Sequence, residues 1–161
     1  MGKKLEKKII ERKLNKDIQR AKDFEYASII GLKANNITKL VNKGLNFSNI
    51  TEGTLDELVK EKLITNAQKE DLLLTSRIGL ITGENFDLIK AIKTDNVKSL
   101  TDFLGWEKSD WLTVIKEKKI PLPADEDSPE TYADNICKTI EKTFPTHYFL
   151  YRTINNAPVN D

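Results

Sequence analysis

Apolar positions recur at three- and four-residue intervals along most of the chain, and no stretch sustains an alternation of period two. From Lys3 to Ile30 the stripe Ile10, Leu14, Ile18, Ala21, Phe24 and Ser28 marks one face of a single long helix, with Lys and Arg on the other side. A second apolar edge at Ile9, Tyr26, Ile29 and Ile30 widens the face expected to be buried toward the C-terminal end. Gly31 is the expected stop, because a helix commonly closes on a residue in the left-handed region.

Shorter helical segments follow, punctuated by caps. Asn36 is expected to open a helix through Ile37, Leu40 and Val41 that Gly44 closes, leaving Leu45, Phe47 and Ile50 in a connection that must still find core. Thr54 to Glu57 and Thr65 to Gln68 both match the reciprocal capping box, in which a hydroxyl and a Glu or Gln satisfy orphan amides at a helix start. The second box begins a helix to about Ile81 that buries Leu72, Leu73, the Arg77 stem and Leu80, and Thr82-Gly83-Glu84 ends it. Asn85 then caps Phe86 to Lys93. A turn through Val97, Leu100, Phe103 and Leu104 reaches Gly105, and Ser109 is expected to cap a helix up to Lys118 that Pro121 and Pro123 stop. Ser128-Pro129-Glu130 reads as cap, first-turn proline and first-turn acid of a helix through Tyr132, Ala133, Ile136, Cys137 and Ile140. Phe144-Pro145-Thr146 breaks it, and His147 to Ile154 is expected to form a last helical segment.

These elements define an all-α protein, a compact bundle of about seven or eight mostly short helices around one long N-terminal amphipathic helix. The expected organisation is a single all-helical domain over 1–154, its long basic helix over 1–31, with 155–161 a polar tail or linker. The order "short helix, Gly turn, capped helix" occurs at 37–62 and again at 97–118, without a residue-by-residue alignment between the two. At 161 residues with 39% hydrophobic and 32% charged residues, the chain has the size and composition of one globular domain.

Net charge is +1, but it is graded along the chain. Residues 1–23 hold nine Lys or Arg against four acids, 24–119 balance at fourteen each, and 120–161 hold three against seven. Opposite ends carry opposite signs, which suits mutual attraction of ends or neighbouring modules, or a basic arm for an acidic partner. Runs such as Leu72 to Leu74 fall far short of the ~20 apolar residues of a membrane span, and no charged-then-apolar leader opens the chain. The sequence is therefore expected to be soluble, made in the cytoplasm without a signal peptide, and not itself membrane-inserting.

Reaction chemistry has little to work with. Cys137 and His147 are the only cysteine and histidine, separated by a proline break, and each is most simply structural. No Cys-x-x-Cys, His-Glu-x-x-His or calcium-loop pattern supplies a metal site, and Asp125-Glu126-Asp127 stands where carboxylates favour the positive end of a helix. Glycines form no phosphate cradle. The expectation is no catalytic, cofactor-binding or metal-binding residue, no small-molecule substrate and no enzyme activity. Short helix pairs with Gly turns also raise helix-hairpin-helix binding of nucleic acid as the alternative. Its details fit poorly, because Lys43-Gly44-Leu45-Asn46 has one glycine and Leu104-Gly105-Trp106-Glu107 puts an acid next. Trp106 and Trp111, at one helix corner, and Lys3, Lys7 and Arg12 on the basic helix are the candidate partner contacts, although aromatic residues at such a corner are more often core.

The run from Asn36 through Gly44-Leu45, Thr54-Leu-Asp-Glu-Leu58, Leu63-Ile-Thr65, Arg77-Ile-Gly-Leu80, Thr82-Gly-Glu-Asn85, Ser99-Leu100, Ser109-Asp-Trp-Leu112, Pro121-Leu-Pro123, Tyr132-Ala133 and Phe144-Pro145-Thr146 resembles a helical module. It is similar to regions near the start of the A component of insecticidal toxin complexes and of the virulence-plasmid A protein family, over roughly residues 35–152. The resemblance implies a scaffold role in a large multimeric assembly, with other parts of a larger protein or neighbouring subunits as partners. It carries no active-site residue to this chain, which lacks channel-forming and receptor-binding parts and adds a basic first helix.

Overall fold

The computed structural model describes residues 2–146 apart from 95, 96, 98 and 100; within helices the side chains at 2, 3, 5 and 101 fall outside the description, as does the segment expected to be helical from His147. Among the described residues eight α-helices and one 3₁₀ turn make up the regular structure, and none is in a strand: the protein is all-α. The helices are α1 (Gly2–Ile29), α2 (Ala34–Asn42), α3 (Glu52–Lys60), α4 (Asn66–Thr82), α5 (Phe86–Thr94), α6 (Thr101–Leu104), α7 (Lys108–Glu117) and α8 (Pro129–Thr143), with the 3₁₀ turn at Phe47–Asn49. The chain divides into two compact units, residues 1–76 and 77–161.

In the first unit, only the C-terminal part of α1 has a buried face. Tyr26 and Ala27 are fully enclosed, and the Tyr26 ring stacks on Phe47 with centroids 6.5 Å apart and planes 14° from parallel. The connection after α2 does find core, through Leu45, Phe47 and Ile50. A buried polar clamp fixes it. The Asp23 carboxylate, 3% exposed, accepts the Phe47 amide at 2.9 Å and the Gln19 side-chain amide at 3.0 Å. Gln19 also donates to Asn46 Oδ1 at 2.9 Å and to Ser48 Oγ at 3.0 Å, while Asn46 Oδ1 accepts the Ser48 amide at 2.9 Å. Each otherwise orphaned donor of the 3₁₀ turn thus ends on α1 or on its own cap.

Gly44 closes α2 in the left-handed region, φ 86°, and the Leu45 amide reaches back to the Leu40 carbonyl at 3.2 Å. The next cap differs from expectation. Helix α3 starts at Glu52 with Thr51 as its cap, its hydroxyl accepting the Thr54 amide at 3.3 Å, so Thr54 lies inside the helix rather than at its entry. Thr51 prevails because it stands in extended conformation one residue before Glu52, whose acid favours the helix N-terminus. The Thr65–Gln68 box forms as expected, with reciprocal bonds of 2.9 and 3.1 Å.

The second unit centres on α7, which packs against α8 and α5. Its core combines Ile78 and Ile81 of α4, Leu88, Ile89 and Ile92 of α5, Phe103 and Leu104 of α6, Trp111 and Ile115 of α7, and Tyr132, Ala133, Ile136 and Ile140 of α8. Asn85 caps α5, accepting the Leu88 amide at 3.3 Å, and its other side-chain end donates to the Pro121 carbonyl at 2.9 Å, so one residue starts a helix and anchors a distant loop. Ser128 caps α8 and accepts the Thr131 amide at 3.1 Å, with Pro129 in the first turn. Helix α7, by contrast, begins at Lys108 behind Glu107, and the Asp110 carboxylate accepts the Glu107 amide at 2.8 Å; Ser109 is already helical. Leu80 was expected to be buried and is 52% exposed, while Ile78 and Ile81 beside it are enclosed.

Replacing Asp23 by alanine leaves the Phe47 amide buried without an acceptor. The expected loss is about 2 kcal/mol of unfolding free energy, read by urea denaturation; a loss below about 0.5 kcal/mol would mean that the clamp contributes nothing.

Candidate functional site

The long stripe of α1 does not lie where its spacing suggests. Ile10 is 65%, Leu14 56% and Ile18 47% exposed, and Ala21 and Ser28 are exposed as well. With 3.6 residues per turn these five positions share an arc of about 80°. Asp23, Tyr26 and Ala27, which face the core, fall outside that arc, Asp23 about 180° from Leu14. Of the second edge, Tyr26 is enclosed and Ile29 and Ile30 are partly covered, whereas Ile9 is 56% exposed; the stripe through Leu14 faces water. The burial expected for the stripe is corrected by this arrangement. From residue 6 to 18 every side chain of α1 is exposed, and Gln19 is the first to be partly covered.

The basic residues divide in the same way. Lys7 lies in line with the stripe at its N-terminal end and Glu25 at its C-terminal end, both exposed, whereas Arg12 is on the opposite side of the helix. Lys3 belongs to α1, but its side chain lies outside the described residues.

At the tryptophan corner, Trp111 is 0% exposed and Trp106 half-buried. Their rings meet edge to face with centroids 4.9 Å apart and planes at 64°, and Phe103 meets Trp111 at 6.0 Å and 78°. Such pairs add about 0.5–1.5 kcal/mol beyond area burial. Trp111 belongs to the core of the second unit, and Trp106 covers it. The Trp111 Nε1 has no hydrogen-bond acceptor among the described residues.

Elsewhere polar groups engage one another locally. The glycine turn after α2 is not an open amide cradle, because the Gly44 amide bonds the Val41 carbonyl at 2.9 Å and Leu45 bonds Leu40. Its lysine, Lys43, is paired with Glu61. At the second glycine turn the Trp106 amide bonds the Phe103 carbonyl at 3.0 Å and the Glu107 amide goes to Asp110. Cys137 is half-buried on α8, in a shallow hollow with Lys108, Asp134, Lys138 and Glu141. There Lys138, 3.0 Å from Asp134, holds that carboxyl below its usual range, and Lys116 does the same to Glu130 at 2.9 Å. His147 lies outside the described residues. Among those described, no three potential metal ligands gather, and no helix is long and apolar enough to cross a membrane.

Tyr132 is the strongly perturbed group. Only 3% exposed, it donates to the Thr82 carbonyl at 2.6 Å, and burial pushes its hydroxyl up to about 12. The hydroxyl joins α8 to the end of α4, and its neighbours on that side are Glu126, held by Asn135 at 2.9 and 3.1 Å, and Asp125.

Compared with protein families, curated proteins and solved structures, the chain finds no match in any of the three.

Two outcomes follow from this geometry. Trp111→Ala should cost about 3–5 kcal/mol of stability in chemical denaturation, and a value under about 1 kcal/mol would remove Trp111 from the core. Because the folded-state value of Tyr132 is raised from the usual 10 to about 12, its contribution to stability is complete below pH 10 and is lost as pH rises from 10 to 12. A Tyr132→Phe variant should lack that part of the alkaline decline; matching declines in the two proteins would refute the assignment.

Proposed function

We propose that the protein is a non-enzymatic helical module that binds other protein, with α1 as its docking element. The observation that carries the reading is the exposed line Ile10, Leu14 and Ile18 on the side of α1 turned away from its own core. Large aliphatic side chains repeated along one line of a helix gain free energy only when something covers them, about 25 cal/mol for each Å² removed from water. Scattered single hydrophobes on a surface are ordinary; a helical line of them is the form that an interaction seam takes.

The resemblance to the A component of toxin complexes covers roughly residues 35–152 and leaves α1 out, so it bears on the module and not on its docking helix. On that resemblance the module would belong to a large multimeric assembly, made in the cytoplasm and exported as part of it, to which it contributes shape and contacts rather than reaction chemistry. Neighbouring subunits or other parts of a larger protein are the partners that this reading calls for. Trp111 and Trp106 then act by holding the second unit rigid, and Lys7 and Arg12 contribute steering charge on two sides of α1.

The reading is tested by accessibility in the cells that make the protein. In a Cys137→Ser background, Leu14→Cys should react with a maleimide several times more slowly than Arg12→Cys on the opposite side, and the two should react alike in the dilute purified protein. Equal labelling in cells would refute the docking role. As a control on folding, Leu14→Gln should shift unfolding free energy by less than about 0.5 kcal/mol.

A further inference from the structure

We propose that the two units are tandem copies of one helical packing unit, the second displaced 52 positions along the chain from the first. The inference is independent of any docking role for α1. Residues 23–42, from the last turns of α1 through α2, correspond to 75–94, from the last turns of α4 through α5. Along these two stretches no residue buried in one is exposed in the other. Tyr26 and Ile78, Ile37 and Ile89, and Leu40 and Ile92 are enclosed in pairs, and Leu45 and Val97 carry the same register past the second helix. Ser28 and Leu80 are both exposed, so the outward Leu80 stands where the first unit has an outward serine. This register differs from a match of 37–62 with 97–118, because Leu45 rather than Ile37 stands opposite Val97.

Gly31 and Gly83 close the two first helices at φ 77° and 71°, and the helices that follow are each nine residues long. A glycine corner sets where the next helix starts. It does not set the distance to the following core residue, which is also equal at Leu45 and Val97. The element order then repeats beyond the matched stretches. A one-turn helix holds a fully buried phenylalanine, Phe47 in the first unit and Phe103 in the second. Next comes a helix of nine or ten residues, α3 or α7, left through a lysine at positive φ, Lys62 at 61° or Lys119 at 52°. After each lysine an amide reaches back at 3.0 Å, Leu63 to the Leu58 carbonyl and Ile120 to that of Ile115. A helix with a hydroxyl cap closes each unit, α4 behind Thr65 and α8 behind Ser128. Helix α4 thus serves twice, its start in one copy and its end in the next. Identity survives only at Ile29 and Ile81, Gly31 and Gly83, and Ile37 and Ile89. No polar side chain recurs at an equivalent place in these stretches, so the repeated feature is a way of packing helices rather than a ligand site.

Single substitutions at every position of the full chain, scored by survival under protease, test the correspondence. The tolerance profile of 23–42 should correlate with that of 75–94 most strongly at an offset of 52, above offsets one helical turn to either side. A maximum elsewhere, or none, would overturn the proposal. A transplant in the full chain checks it separately. The nine-residue sequence of α5, placed at 34–42, should leave unfolding cooperative and the thermal midpoint within about 10 °C of the parent. The same nine residues set one position out of register take Ile89 and Ile92 off the core positions, and should lower the midpoint roughly twice as far. An in-register transplant no more stable than its out-of-register control would equally overturn the equivalence of the two helices.

Discussion

The Asp23 carboxylate decides which side of α1 is inside. A carboxylate sealed from water is tolerated only with hydrogen-bond donors around it, and here the Phe47 amide and the Gln19 side chain supply them. Those bonds fix the rotation of the helix about its axis. With Asp23 inward, Tyr26 stacks on Phe47 and Ala27 is enclosed. The clamp acts only on the C-terminal part of the helix: from residue 6 to 18 the helix is exposed all round, Ile9 at 56% like Ile10 and Leu14, so the stripe faces water because nothing of its own unit covers that length of α1.

Sequence periodicity identified a helix over the first thirty residues correctly, but of the two apolar edges expected to be buried Tyr26 is enclosed while Ile9, Ile10, Leu14 and Ile18 are not. Both apolar edges have helical spacing, and the longer one is the one facing water. The short polar cluster Gln19, Asp23, Asn46 and Ser48 decided the matter, and its members are far apart in the chain, so no local pattern shows that they meet. Caps were legible where side chain and backbone agreed, as at Thr65, Asn85 and Ser128. They were misplaced by a few residues at Thr54 and Ser109, where a second eligible residue stood just upstream and took the cap position. Leu80 shows the same limit: in an apolar run such as that around Ile78 to Ile81, spacing gives more candidate inward positions than the neighbours have room to cover.

The second unit shows why a tryptophan pair need not mark a ligand. Trp111 is reached by Phe103 and Trp106 at once, and α8 closes over the same core with Tyr132 and Ile136. A four-residue helix such as α6 cannot be stable by itself, since helix nucleation is unfavourable. It persists because Phe103 and Leu104 are driven into a core that the α7 tryptophan organises. Large aromatic side chains at this corner let very short helices hold their places, and the same economy leaves their rings little surface to offer a partner.

Charged side chains pair locally in both units, as Lys43 with Glu61 and Lys69 with Asp56 in the first and Lys138 with Asp134 and Lys116 with Glu130 in the second, and each pair neutralises its own neighbourhood. On α1 the charges and the aliphatic line share one exposed rod, with lysine at one end of the line and glutamate at the other. A protein contact made there needs no cavity and no reactive group. It needs only that the N-terminal part of α1 stay uncovered by its own unit, while the buried carboxylate holds the C-terminal part in place.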